Sequence, residues 1–224
     1  MRYRTVLFDL DGTLLDHLTA IHRSYAHTLP QLGLPAPSRE EVRRVIGGGL
    51  ETAMRRFVRE ADLPRALAIY SEYWDRTMLE GVELMPGADV LLRALYDLGC
   101  TLAIFTNKYG SSSRLVCDAL GIAPLFRGIF GAHDTPWLKP DPRYVAHVLA
   151  AVGGEAGTAC LVGDSPFDME AARGSGLTCF LVTTGTHSAE DLQAAGAAHI
   201  YPDLFALARG AFDLSLEAPG DPSR

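Results

Sequence analysis

Two acids spaced two apart, Asp9 and Asp11, follow the apolar run Val6-Leu7-Phe8 and lead into Gly12. In a strand, residues i and i+2 share a side, and a glycine directly after them lets the backbone turn, so both carboxylates can converge on one ligand. Taken alone, the string also reads as a turn cap, because Asp and Gly both favour turns. Three further segments supply complementary groups in chain order. Thr106-Asn107 follows a second apolar run, Lys139 opens Lys139-Pro140-Asp141-Pro142, and Asp164 and Asp168 lie in Gly163-Asp164-Ser165-Pro166-Phe167-Asp168 after a third.

Phosphoryl transfer needs a nucleophile, an acid for the departing oxygen and positive charge around the transferring group, and these segments contain all three. Asp9 can attack phosphorus as an ionised carboxylate. Asp11 can protonate the leaving alcohol and then take a proton from the hydrolytic water. The Thr106 hydroxyl and the Asn107 backbone N–H can donate to phosphate oxygens, and Lys139 can neutralise developing charge. Two carboxylates beside a phosphate dianion repel it, so the set implies a hard divalent cation, and Mg2+ commonly bridges carboxylate and phosphate oxygens. Asp164 and Asp168 also suit helix capping, a role compatible with ligation.

The elements that must position these groups are legible as an alternation. Apolar β-like runs at 5–8, 101–105, 128–130, 159–162 and 179–182 are separated by helical patterns at 88–98, 111–120, 144–152 and 169–174. Such alternation predicts an α/β fold, a doubly wound Rossmann-like parallel sheet with helices on both faces, whose ligands bind at the carboxyl ends of the strands. Asp9, Thr106 and Asp164 each directly follow a strand-like run and so share that edge. Between the first two runs lies an insertion too long for a simple crossover, with helical patterns at 18–29, 39–45, 51–59 and 64–79 and almost no strand signal. We expect residues 1–15 and 86–213 to form the core, 16–85 an inserted helical cap domain that hinges over the first acidic loop, and 214–224 a disordered tail. Gly47-Gly48-Gly49 is expected to form a cap loop approaching substrate.

The ordered set of four motifs resembles the haloacid dehalogenase-like superfamily of hydrolases and, within it, phosphatases related to phosphoglycolate phosphatase. The resemblance spans nearly the whole chain. It implies Mg2+-dependent hydrolysis of a small phosphorylated metabolite through an aspartyl-phosphate. It assigns the metal to an Asp9 carboxylate oxygen, the Asp11 backbone carbonyl and an Asp164 carboxylate, with Asp168 acting through water or by orienting Lys139. Gly12, Thr106, Asn107 and Lys139 are the implied phosphate and substrate contacts. The run Thr106-Asn107-Lys108 looks like the phosphoglycolate phosphatase group, whereas His17 stands where that group often has Ser, and Trp137 precedes Leu138-Lys139 in a loop that looks short.

Rival readings leave recognisable gaps. A phosphosugar mutase similar to β-phosphoglucomutase usually carries a cap Arg after a Gly-x-Ser turn, which Gly47-Gly48-Gly49-Leu50 lacks, and its cap His would fall at Ile21 rather than His22. A haloacid dehalogenase has no need of Asp11, and a phosphonate hydrolase needs a cap lysine that 16–85 does not contain. A catalytically silent phosphate-binding protein on the same fold is the alternative from another class.

Composition bounds the rest. The chain has 224 residues, 48% of them hydrophobic, with a formal charge of −7, enough for a buried core and unsuited to nucleic acid or an anionic membrane as partner. Arg43, Arg44, Arg55, Arg56 and Arg59 recur at helical spacing and read as a solvated face from which one or two could meet a small anion. The opening residues are too short an apolar run for a signal peptide or a span, so a cytoplasmic location is expected. Cys100, Cys117, Cys160 and Cys179 form no C-x-x-C pair and read as core residues. The expected assembly is a monomer or homodimer.

Overall fold

The computed structural model describes residues 2–217. The chain opens with β1 (Thr5–Phe8), buried along its whole length, and a two-residue strand β2 (Leu15–Asp16). Four helices follow: α1 (Leu18–Thr28), α2 (Arg39–Arg43), α3 (Leu50–Met54) and α4 (Leu63–Thr77). The chain returns through β3 (Glu83–Leu84), which pairs antiparallel with β2, and continues into α5 (Ala88–Asp97), β4 (Thr101–Tyr109) and α6 (Gly110–Ala119). The remainder is β5 (Gly128–Ala132), α7 (Pro142–Val152), β6 (Ala159–Gly163), α8 (Pro166–Gly174), β7 (Thr178–Val182), α9 (Ala189–Ala194), β8 (Ile200–Tyr201) and α10 (Leu204–Phe212).

Six strands form one parallel sheet in the order β5-β4-β1-β6-β7-β8. The chain builds outward from β1 on one side and then crosses to build outward on the other. The strand order therefore reverses next to β1, the place where doubly wound sheets open a crevice. Period-two alternation divides the side chains between two cores. Val6, Phe8, Leu102, Ile104, Cys160 and Val162 pack on the α5 and α10 side, whereas Leu7, Ala103, Phe105 and Leu161 meet Tyr144, Val148 and Ala171 on the other. Helices cover both faces, which is why the central strands read as continuous apolar runs. Fully burying each such Leu, Val or Phe contributes about 1.5–3 kcal/mol, so β1, which leads directly into Asp9 and Asp11, is among the most firmly anchored parts of the molecule.

The helical insert has an apolar core of its own. Ile21 and Tyr25 of α1 face Leu63, Ala66, Tyr70 and Trp74 of α4, each set at helical spacing along one face. Pro64 sits in the first turn of α4, where its missing N–H costs nothing, and a Ser38/Glu41 capping box starts α2.

Several elements differ from the sequence expectation. The insert begins and ends in the β2–β3 ribbon, too short to show any periodicity. Helix α2 stops at Arg43 and α3 at Met54; residues after Met54 continue as turns in which the Phe57 and Val58 amides both donate to the Met54 carbonyl. Strand β4 runs on to Tyr109, through a register shift against β5 between Phe105 and Tyr109. Strand β8 and helices α9 and α10 complete the far side of the sheet. Of the expected disordered tail, Leu214 and Leu216 pack against the α5–α10 core, and residues 218–224 lie outside the described region. Among the described residues no helix is long and apolar enough to cross a membrane.

Candidate active site

The site forms where β1 meets its two neighbours. Asp9 is one residue past β1, and its amide still donates to the Val162 carbonyl of β6, which holds it beside Asp164. Thr106 lies on β4 across from it. Asp9, Thr106, Asn107, Lys139, Asp164 and Asp168 are all buried, with 0–5% exposure, a concentration of polar groups that an interior tolerates only when they satisfy one another.

Lys139 provides the central connection. Its Nζ lies 2.7 Å from Asp9 Oδ1 and 2.8 Å from Asp168 Oδ1. Burial disfavours its charged form, yet Asp168 and Asp9 outweigh burial and hold the ammonium above its ordinary pKa. Asp141 caps α7 by accepting from the Arg143 amide, and Pro142 fills the first turn, so the lysine stands on a stiff helix start. Asp168 spends its other oxygen on Ser165, accepting from the amide at 3.1 Å and the hydroxyl at 2.6 Å. The same acid caps α8 and fixes Lys139.

Asp9, Asp164 and Asp168 each offer a carboxylate oxygen within 4.8 Å of the others. Burial and the neighbouring acids push Asp164 well above the usual carboxylate range. Burial also raises Asp9, reinforced by Asp168 and opposed by Lys139. Buried, crowded oxygen donors of this kind suit a hard divalent cation, which would remove that electrostatic penalty. The loop after β7 closes against Asp164: the Thr186 amide donates to Oδ2 at 3.1 Å, and a Cβ on Gly185 would fall 1.9 Å from that oxygen. Gly12, at φ +88°, presses on the same carboxylate, and a Cβ there would lie 2.7 Å from it. Gly12 therefore shapes the seat of Asp164 as well as the turn after Asp11.

Asp11 points elsewhere. Both its oxygens meet Lys108 Nζ, at 2.9 and 3.2 Å, and His17 Nδ1 lies 3.4 Å from Oδ1. The Met78 carbonyl accepts from His17 Nε2 at 2.6 Å, which fixes the ring. Burial opposes ionisation of Asp11, but Lys108 and His17 prevail and hold its carboxyl well below the usual range. Lys108 Nζ also rests 4.4 Å from the centre of the Trp74 ring, a cation–π contact supplied by the insert.

Asn107 does more than its expected backbone contact. Its amide nitrogen donates to the Gly47 carbonyl at 3.0 Å and to the Lys139 carbonyl at 3.2 Å, while its oxygen accepts from the Lys139 amide at 2.8 Å. One side chain thus joins the insert, β4 and the lysine loop. Arg43 to the Gly185 carbonyl, Tyr109 to Glu51, and Trp74 Nε1 to Ser112 Oγ are further bonds between insert and sheet, at 2.9, 2.8 and 3.1 Å. Between the two parts lies a cavity of about 270 Å³ that reaches Asp9 and Asp11 and has Gly47 and Gly49 in its wall.

All the residues singled out in the four motifs converge on this edge. Of the basic face, Arg55 pairs with Glu60 and Arg44 with Glu40 on the surface, and Arg56 is exposed; only Arg43 reaches the core. Lys108, Trp74, Gly185 and Thr186 were not singled out as site residues. The apolar run 179–182 was a usable signal for the last two, since the polar loop at its carboxyl end had to reach the same edge.

Comparison with known proteins agrees with this geometry. The family model described as haloacid dehalogenase-like hydrolase matches residues 6–182. A phosphoglycolate phosphatase from Caulobacter vibrioides is 32% identical over 86% of this chain and 84% of its own, and one from Pseudomonas putida is 31% identical over 94% and 80%. A solved haloacid dehalogenase-like family hydrolase from Streptococcus pneumoniae superposes with a TM-score of 0.85 at 27% identity, covering 95% of this chain and 99% of its own. A doubly wound sheet with acids and a buried lysine at its switch point, beneath a helical insert, defines an enzyme of the hydrolase class. The chain belongs to the haloacid dehalogenase-like hydrolase family.

Proposed function

We propose that the chain is a Mg2+-dependent phosphatase that hydrolyses a small phosphomonoester, phosphoglycolate or a metabolite like it, through an aspartyl-phosphate on Asp9. The observation that carries this reading is the Asp9–Lys139–Asp168 chain beside Asp164, which provides a nucleophile and a fixed positive charge within 2.7 Å of it. The names of the curated relatives point to the same chemistry.

In this reading an Asp9 oxygen attacks phosphorus as the bond from phosphorus to the leaving oxygen breaks, and Asp11 gives that oxygen its proton. Water then attacks the acyl-phosphate, Asp11 takes a proton from it, and Asp9 is regenerated. Lys139 and the Thr106 hydroxyl meet the charge on the transferring group, and Asn107 keeps Lys139 in register. The carboxylates of Asp9 and Asp164, with the Asp11 backbone carbonyl, would hold Mg2+, while Asp168 orients Lys139. A bound Mg2+ supplies the positive charge that lets a phosphate dianion approach these acids.

The mutase reading is disfavoured because among the described residues no arginine lines the cavity, so the second phosphate of a sugar bisphosphate would lack a clamp. His22 is instead tied to the Pro37 carbonyl at 3.0 Å. Phosphate release from phosphoglycolate and p-nitrophenyl phosphate, with and without Mg2+, tests the proposal. Activity that needs the metal and disappears in Asp9→Asn supports it; a folded protein inert on a broad phosphomonoester panel favours a silent binder.

A further inference from the structure

Among the described residues, Lys108 is the one cation lining the 270 Å³ cavity. Its side chain is 8% exposed, and in this structure its charge is spent on Asp11, the acid that must serve the leaving oxygen. The rest of the wall is mostly apolar, including Ile21, Leu50, Tyr70 and Trp74. A cavity of this size lies just below the range of about 300–1,000 Å³ that holds drug-sized ligands, and so suits a small leaving group.

We infer that Lys108 selects the substrate by exchanging Asp11 for a carboxylate on the leaving alcohol. The inference rests on the phosphatase reading above and deepens it. A single ammonium matches a carboxylate, whereas a second phosphate would call for a bidentate arginine or several cations. Reach agrees: Lys108 touches Asp11, Asp11 must approach the ester oxygen, and a carboxylate one carbon beyond that oxygen therefore comes within range of Nζ. The exchange also leaves both Asp11 oxygens free to turn towards the ester oxygen. Trp74 keeps the ammonium in place meanwhile, because its ring lies 4.4 Å from Nζ and is itself fixed by the 3.1 Å bond from Nε1 to Ser112. Recognition and release of the acid thus belong to one movement of one side chain.

The test compares kcat/KM for 2-phosphoglycolate with that for its neutral primary amide, which alters only the carboxylate. The wild-type enzyme should prefer the acid by about 10- to 150-fold, the range for a charge-assisted hydrogen bond. In Lys108→Met the ratio should fall to within about threefold of unity, and Lys108→Arg should restore most of it. A wild-type ratio near one overturns the inference without recourse to any variant, and so does a folded Lys108→Met enzyme that keeps the preference. Turnover of p-nitrophenyl phosphate accompanied by no preference for the acid removes only the role of Lys108. Inactivity on all three substrates with Mg2+ present removes the phosphatase reading and this inference together.

Discussion

Asp168 Oδ1 lies 2.8 Å from Lys139 Nζ across 29 residues of sequence, and neither group meets solvent. Asp168 is the fixed member of this pair, because Ser165 secures its second oxygen. Asp168→Asn keeps the shape and much of the cap but removes the charge that aims the lysine. We expect kcat to fall about 10- to 100-fold, the usual cost of losing a group that orients another, with a lower Tm. Steady-state kinetics and thermal unfolding check both; unchanged kcat would show that Lys139 needs no guide.

Lys139→Ala removes a preorganised donor worth about 2.7–4 kcal/mol to the transition state, so turnover should drop at least about a hundredfold. It also leaves Asp9 and Asp168 without a counter-charge, at a cost of about 3–5 kcal/mol in stability. The kinetic loss should persist at temperatures where the variant is fully folded by circular dichroism. A loss below about fivefold would take Lys139 out of the reaction.

Gly185 leaves no room for a methyl group beside Asp164. Gly185→Ala should displace that carboxylate and weaken Mg2+ binding by about 10- to 100-fold, while the sheet stays intact. Metal titration by calorimetry reads this directly, and an unchanged affinity would separate Asp164 from the metal.

The metal-free protein should become more stable as pH is lowered from neutral towards the mildly acidic range. Burial and mutual repulsion raise the Asp164 and Asp9 carboxyls above the value near 3.9 that an unfolded chain shows. Between the unfolded and folded values the native state binds the extra proton, so stability falls as pH rises. Saturating Mg2+ should reverse the slope, because it binds the deprotonated acids and its stabilisation grows with pH. Urea midpoints in EDTA and in excess Mg2+ across this range decide the matter; parallel slopes would count against a metal at these acids.

The parts of the fold that could be read in advance were those with a strong local pattern. Buried parallel strands announce themselves as apolar runs, and Asp9, Thr106 and Asp164 stand directly after three of them. Lys139 was recognisable because proline and a capping acid mark a helix start around it. The β2–β3 ribbon and β8 were not, since two-residue strands have no period. Trp74 was hidden for another reason: on α4 it falls in line with Leu63, Ala66 and Tyr70, and nothing local distinguishes a ring that packs inward from one that also carries a cation. The grip of Lys108 on Asp11 spans 97 residues and depends on which strands become neighbours, so spacing could not disclose it. Asn107 was read for its backbone, while its side chain turned out to tie three segments together.

The chain leaves the sheet at Leu15–Asp16 and comes back at Glu83–Leu84, and those two stretches bond to each other. Departure and return share one doorway. The insert's share of the cavity wall, Ile21 and Trp74 included, is therefore encoded in a single uninterrupted stretch of gene, while Asp9, Thr106, Lys108 and Lys139 lie outside it. Substitutions within that stretch would reshape one side of the wall and leave the acids at the sheet edge in their places.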